Sequence, residues 1–355
     1  MALSAGLRWR KPWLCGTLSS GLPGQGTART AFERLCWLRM ELARRMALLT
    51  VVATLILIGV GVLVRATGSG LGCPDWPTCH GAVLPPAEKH PLIEMSHRFT
   101  ASAVGLLVIA VALMAWRHYR DNAFIVWTAI AGVPLVGFQG ILGAITVKKE
   151  LPPEIVATHL LTAMIVLSFQ VAVTAAMYLE DPNWARRLGA ASSAGHRRIG
   201  AAALAAIGWL AGVLWVGGYM TESGASTACD HWPGCTGAAS LLPSSDGQEI
   251  THMLHRYLAG ALVLFLAVAV ATAWRQRRQL PWATVFAATT AFLYVLQVIV
   301  GALNVWYTFP NWLAISHTVI ASLIWAALSS AVMLALYLPT AMRDRPPATA
   351  AKATP

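Results

Sequence analysis

Charge is scarce in this sequence. Asp, Glu, Lys and Arg make up 12% of its 355 residues, against 57% that are hydrophobic. A soluble domain carries about a quarter charged residues. This composition excludes one and fits a chain that crosses a bilayer several times. Acids are scarcest, 15 against 26 Lys and Arg, and no carboxylate cluster suits a hard metal ion. Cysteines number six, and four of them sit in two short loops. The apolar runs therefore offer no thiolate to a softer metal, and a zinc site in loops facing an oxidising compartment is disfavoured. No small-residue cleavage site follows the apolar run after Met46, so nothing resembles a cleaved secretory signal.

Eight stretches lack any Asp, Glu, Lys or Arg: 47–64, 99–116, 122–147, 155–179, 199–221, 257–274, 280–309 and 311–342. A bilayer needs about 20 apolar residues per helix, so the shorter ones must borrow polar flanks. The sequence predicts an all-α polytopic membrane protein with eight transmembrane helices. Lys and Arg set its orientation: twenty fall on one side, in the termini and alternate loops, and three on the other. Under the positive-inside rule both termini are cytoplasmic and the cysteine loops lie on the outer face. The net charge of +11 is thus a topology signal, not a nucleic-acid footprint.

A fixed offset runs through the chain. His97 and His255 are 158 residues apart, as are His159 and His317, Gln139 and Gln297, and Gly143 and Gly301. Such an offset in separated segments reads as internal duplication, here of two four-helix bundles. The expected division is a basic, disordered cytoplasmic leader over 1–45, halves at 46–180 and 199–342, and a cytoplasmic tail over 343–355. The leader, Arg-rich and nearly acid-free with Cys15 and Cys36, also fits a transit peptide or an upstream start before Met40 or Met46.

The first cysteine loop reads Cys73-Pro74-Asp75-Trp76-Pro77-Thr78-Cys79-His80-Gly81, the second Cys229-Asp230-His231-Trp232-Pro233-Gly234-Cys235-Thr236-Gly237. Both fit Cys-x-x-Trp-Pro-x-Cys-x-Gly at an offset of 156, so two residues have been gained or lost before the histidines. Short Pro-constrained loops can bring two Cα atoms within disulfide range. For Cys229–Cys235 a structural staple is the favoured reading. For Cys73–Cys79 a staple and a redox-active pair are equally open.

Glu94-Met95-Ser96-His97-Arg98 opens one charge-free run and His252-Met253-Leu254-His255-Arg256 another. Glu94 and His97 share a helix face. His97, His159, His255 and His317 each start an even-numbered helix, at similar shallow depth; for His159 and His317 that is about 6–9 Å at 1.5 Å per residue. Intramembrane histidines are functional candidates, and two imidazoles on facing helices form an axial pair for haem iron. Gly105, Gly143, Gly260 and Gly301 allow close helix approach and serve either flat porphyrin slots or plain packing. Glu94, in an apolar surround, can deliver or accept protons, or pair with Arg98. Arg98 and Arg256 can meet haem propionates, where a planar guanidinium fits a carboxylate.

Together these motifs over about residues 46–340 resemble the haem A synthase family in its bacterial, cysteine-containing form. The resemblance implies an eight-helix enzyme of the bacterial plasma membrane that oxidises the C8 methyl of haem O to the formyl group of haem A, for terminal oxidase assembly. It further implies substrate haem O on His97 and His159, a resident haem b on His255 and His317, Glu94 as the catalytic carboxylate, and Cys73–Cys79 as the family's outer-loop pair. Haem O synthase and terminal oxidase assembly factors would be partners. Mitochondrial members usually lack these cysteines, which argues against a transit peptide. His252 departs from the pattern: one turn before His255, it competes for the ligand role. Two non-synthase readings stay open, a di-haem electron carrier and a haem transporter or chaperone.

Overall fold

The structure, a computed structural model, describes residues 26–181, 184, 188, 193–237 and 240–343. Among the described residues eight long helices follow one another: α1 Gly26–Ala66, α2 Lys89–His118, α3 Ala123–Lys148, α4 Pro153–Leu179, α5 Ser193–Glu222, α6 Gly247–Gln276, α7 Pro281–Trp306 and α8 Asn311–Arg343. All eight are long and apolar enough to cross a membrane, and the chain is a multi-pass membrane protein.

Local chemistry sets the helix starts. The Asn122 side chain accepts from the Ile125 amide at 3.1 Å and opens α3; Asp246 accepts from Gln248 at 2.7 Å and opens α6. Proline leads α4 and α7, where its missing N–H costs nothing. The α3–α4 and α7–α8 corners are built alike. Glu150 and Leu151 turn the first with φ of 58° and 60°, Thr308 and Phe309 the second with 58° and 55°. The Leu151 amide returns to Thr146 O at 2.8 Å, and Phe309 to Asn304 O at 2.7 Å, satisfying carbonyls that the helix ends leave open.

Helix contacts form two closed rings. In the first, α1 meets α2, α2 meets α3, α3 meets α4 and α4 meets α1; in the second, α5 to α8 do the same. The rings join through α4–α5, α4–α8 and α1–α8. At the seam Ser168 and Ser329 hydroxyls lie 3.0 Å apart, and the Trp325 indole N–H donates to Ser168 at 2.7 Å. Trp215 Nε1 donates to Thr158 at 3.2 Å. These bonds satisfy polar groups along the packed seam between the bundles.

The helix boundaries correct one expectation. Disorder was expected over 1–45, yet residues 26–45 are helical and continuous with the first span; residues 1–25 lie outside the described residues. Packing explains the extension. Met40, Ala43 and Ala47 are buried in a cluster with Tyr119, Ile125, Met177 and Leu338. Arg44 is buried too: Nε donates to Met177 O at 3.2 Å and Nη1 to Asp181 at 3.2 Å. The tail beyond 343 lies outside the described residues. The spans borrow polar flanks as expected, α2 reaching back to Lys89 and α6 to Gly247.

Candidate functional site

The two disulfide loops and the four histidines gather at one end of the bundles, called here the loop end. His97 lies on α2, His159 on α4, His255 on α6 and His317 on α8. His97 and His159 stand within electrostatic range of each other, and so do His255 and His317. Each ring is half-buried and each is backed by a glycine of the preceding helix. A Cβ at Gly61 would stand 3.1 Å from His97 Cε1; the equivalent distances are 3.4 Å for Gly143 and His159, 2.8 Å for Gly217 and His255, and 3.2 Å for Gly301 and His317. Odd helices supply the glycine and even helices the imidazole. Gly61 and Gly217 were missed from the sequence; their signal was the 156 offset they share with the cysteines. Gly105 and Gly260 back no histidine: a Cβ at the first meets only Val136, at 3.7 Å, and at the second nothing within 4 Å.

Hydrogen bonds orient some rings and leave others open. His255 Nδ1–H donates to Val213 O at 3.2 Å, which presents Nε2 as the free lone pair. Gln139 donates to the His159 carbonyl at 2.7 Å and accepts from Thr162 at 2.5 Å. Gln297 instead bonds the His317 ring itself, Nε2 to Nε2 at 3.1 Å. The Nδ1 atoms of His97, His159 and His317 and the Gln297 carbonyl oxygen are buried without a hydrogen-bond partner among the described residues. Buried unsatisfied polar atoms are rare and point to a missing ligand or to function.

Glu94 sits beneath the first loop and is 3% exposed. The Cys73 amide donates to its Oε2 at 2.7 Å, and Arg98 Nη2 to its Oε1 at 2.5 Å. Gly72 permits this contact, because a Cβ there would fall 2.5 Å from the His90 carbonyl carbon at the start of α2. Both cysteine pairs are disulfides, with Cα–Cα distances of 4.6 Å for Cys73–Cys79 and 4.3 Å for Cys229–Cys235. Met95 packs on the first and Met253 on the second.

Arg98 and Arg256, the candidates for propionate contacts, each reach into a disulfide loop. In the structure Arg98 donates to the carbonyls of Cys73, Asp75 and Thr78 at 3.0, 2.8 and 2.6 Å. Arg256 donates to the carbonyls of His231, at 2.8 Å, and of Gly234. A guanidinium offers five donors in a fixed fork, and here that fork latches a loop to its helix. His252 resolves as the partner of this second latch. Its Nδ1–H donates to Ala225 O at 3.1 Å and its Nε2 accepts from Arg256 at 2.9 Å. Both ring nitrogens are engaged, so neither is open to a further partner in this arrangement.

Asp75 organises the first loop from outside the membrane span. Its carboxylate accepts from the Thr78 hydroxyl at 2.5 Å and from the His80 and Gly81 amides at 2.6 and 2.8 Å. These donors, the Thr78 hydroxyl foremost, hold its carboxyl down to about 2.

A family model described as COX15-CtaA, cytochrome oxidase assembly protein, matches residues 44–329. The chain belongs to this family. It is 31% identical over 300 residues to a protein named heme A synthase from Shouchella clausii, covering 82% of this chain and 96% of the relative. Another of that name from Alkalihalophilus pseudofirmus is 30% identical over 296 residues, covering 81% and 95%. A third, from Geobacillus kaustophilus, is 29% identical over 293 residues, covering 81% and 89%. The COX15-CtaA match begins at the buried Arg44 and encloses both disulfide loops, Glu94 and all four half-buried histidines.

Proposed function

We propose that this protein is a haem A synthase, a membrane oxidoreductase that converts the C8 methyl of haem O to the formyl group of haem A. The observation that carries the reading is an asymmetry inside a repeated frame. Both bundles hold a pair of glycine-backed histidines beneath an arginine-latched loop. Among the described residues only the first places a buried carboxylate, Glu94, one turn from a histidine. An electron carrier with equivalent haems gives that carboxylate no task. The shared offset and matching corners support a common origin for the halves.

The residues fit porphyrin iron. His97 and His159 would hold the substrate iron in the first bundle, their unpartnered nitrogens and glycine backing leaving the rings free to turn toward it. His255 and His317 would hold a resident haem b in the second, with His255 already fixed by Val213 O as an Nε2 ligand. That haem would supply redox chemistry that side chains lack. The chain supplies position and proton handling. Turning a methyl into a formyl group takes up an oxygen atom and releases protons and electrons. Glu94 is the group placed to take protons, steadied by the Cys73 amide and Arg98. The disulfide loop above it keeps bulk water off the reacting edge.

The charge count supports an orientation with termini inside and the loop end outside, and the bacterial relatives support a plasma membrane location. Haem O synthase and terminal oxidase assembly factors are the natural partners, one delivering the substrate and the other receiving the product. The test is porphyrin extraction and mass analysis from cells with and without this protein, supplied with haem O. Haem A should appear only with the protein. Equal haem O and no haem A in both would reject the synthase reading in favour of a carrier or transporter.

A further inference from the structure

Arg65 closes α1 at the loop end and is unlike the other two arginines there. Arg98 and Arg256 are engaged by loop carbonyls. Arg65 makes no hydrogen bond among the described residues; its nearest acid is Glu222 Oε1, at 3.8 Å across the seam between the bundles. At that distance the two form an ion pair but no hydrogen bond, and Glu222 Oε1 is buried without a hydrogen-bond partner among the described residues. The guanidinium fork therefore stands at the seam with its donors open.

Its register places it over the second histidine pair. α1 and α8 run antiparallel and touch where a Cβ on Gly59 would meet Val319 Cγ2 at 3.4 Å. From Gly59 to Arg65 is six residues toward the loop end, and from Val319 to His317 is two. At 1.5 Å per residue, Arg65 sits about 6 Å nearer the loop end than His317. It also lies within electrostatic range of that ring. A porphyrin held by His255 and His317 carries carboxylates that avoid the apolar interior and so favour the loop end, where this fork waits.

We propose that Arg65, contributed by the first bundle, holds a propionate of the haem bound between His255 and His317 in the second. This rests on the reading of those histidines as haem ligands. It also joins the halves functionally, since the resident haem site is incomplete without α1. A fork-to-carboxylate contact is planar and charge-assisted, which Gln cannot reproduce and Lys reproduces only as a point charge.

The test uses full-length protein in a His97→Ala background, loaded with protohaem or with protohaem dimethyl ester, whose propionates carry no charge. Transfer of haem to apomyoglobin gives the release rate. Arg65→Gln should keep the low-spin spectrum and release protohaem about tenfold faster or more, the scale of a lost charged hydrogen bond. Arg65→Lys should fall between. Glu222→Gln should hold haem at least as well as the parent, because it frees the guanidinium. With the ester, the parent and Arg65→Gln should release alike. Equal protohaem release from the parent and Arg65→Gln overturns the proposal, as does an Arg65→Gln defect that persists with the ester. Should Arg65→Gln not fold, a parent protein that releases ester no faster than protohaem overturns it. If His317→Ala leaves the low-spin spectrum intact, the ligand reading falls and the proposal with it, a result distinct from the others.

Discussion

Glu94 and His252 hold the same place in the two bundles. Each is bonded to Nη2 of the arginine one turn further on, at 2.5 Å from Arg98 and at 2.9 Å from Arg256. Each also bonds the backbone of its own loop region, Glu94 at the Cys73 amide and His252 at the Ala225 carbonyl. The polarity is opposite: the carboxylate only accepts, whereas the imidazole accepts at one nitrogen and donates at the other. One frame thus carries an acid in one half and a structural base in the other.

Glu94→Gln is expected to reduce haem O conversion by about a hundredfold or more, the range of a lost general acid–base group, while the second-bundle haem spectrum stays in place. Glutamine keeps the shape of the side chain and one of the Arg98 and Cys73 bonds through its carbonyl oxygen, while its amide nitrogen faces the other donor, so the retained second-bundle haem spectrum is the control for folding. Full haem A production by this variant would return Glu94 to the role of a latch partner for Arg98.

His252→Ala should leave the low-spin haem spectrum present, because neither ring nitrogen faces a metal. His255→Ala and His317→Ala should each abolish or shift it. Loss of the spectrum in His252→Ala together with its retention in His255→Ala would exchange the two assignments.

Much of this site was legible in the sequence because repetition and the absence of charge are both visible there. The 158 offset picked out His97, His159, His255 and His317, and the charge-free runs located the spans. The cysteine loops announced themselves by spacing. The Glu94–Arg98 pair was legible from its spacing, but the loop carbonyls that engage Arg98 and Arg256 were not, since backbone carbonyls leave no mark in composition. The role of His252 was hidden for the same reason: its ring is fixed by Ala225 O, 27 residues away. Arg65 and Glu222 meet across the seam between bundles, and neither has a charged counterpart at the 156 or 158 offset, so no offset pairs them. The helix over 26–45 was obscured by its charges; only the packing of Met40, Ala43 and Arg44 reveals it.

Gly217→Ala should disturb the resident haem more than any other of the four backing glycines, because the added methyl would stand 2.8 Å from His255 Cε1. Overpacking of this kind costs about 1–3 kcal/mol, and His255 is also tied to Val213 O, which limits its retreat. Absorption spectra of the purified variant should show reduced or shifted low-spin haem. Gly143→Ala, at 3.4 Å from His159, should be milder. An unaltered spectrum in Gly217→Ala would show that the ring is free to move and that the backing is incidental.

The first loop should be insensitive to acid until well below neutral pH. Asp75 has its folded value pulled down to about 2 from 3.8, chiefly by the Thr78 hydroxyl. For a depressed carboxyl, the stabilisation is fully present above the unfolded value and is lost as pH falls through the folded one. The rate at which a phosphine reductant opens Cys73–Cys79 should therefore be flat from pH 7 to about pH 4 once corrected for the reagent, and rise toward pH 2. Asp75→Asn should raise it already at pH 7, since an amide nitrogen would face one of the three donors. A rate that stays flat to pH 2 would remove Asp75 as the loop's organiser.

The two disulfides should fail in different ways. Cys73 belongs to the site through its own backbone: its amide holds Glu94 and its carbonyl holds Arg98. Opening Cys73–Cys79 frees that segment and so reaches the carboxylate directly, whether or not the pair also passes electrons. Among the described residues no carboxylate is hydrogen-bonded to Cys229 or Cys235; their loop is latched by Arg256 at His231 and Gly234, and Arg256 in turn bonds His252. Cys73→Ser and Cys79→Ser should therefore lower haem A formation in protein that still carries its second-bundle haem. Cys229→Ser and Cys235→Ser should lower the yield of haem-loaded protein while leaving the conversion per loaded molecule nearly unchanged. Alkylation mapping of untreated protein should find the second pair oxidised, and the first in both states if it cycles during turnover. Full conversion by Cys73→Ser would detach Glu94 from the loop above it, and with it the idea that loop and carboxylate work as one unit.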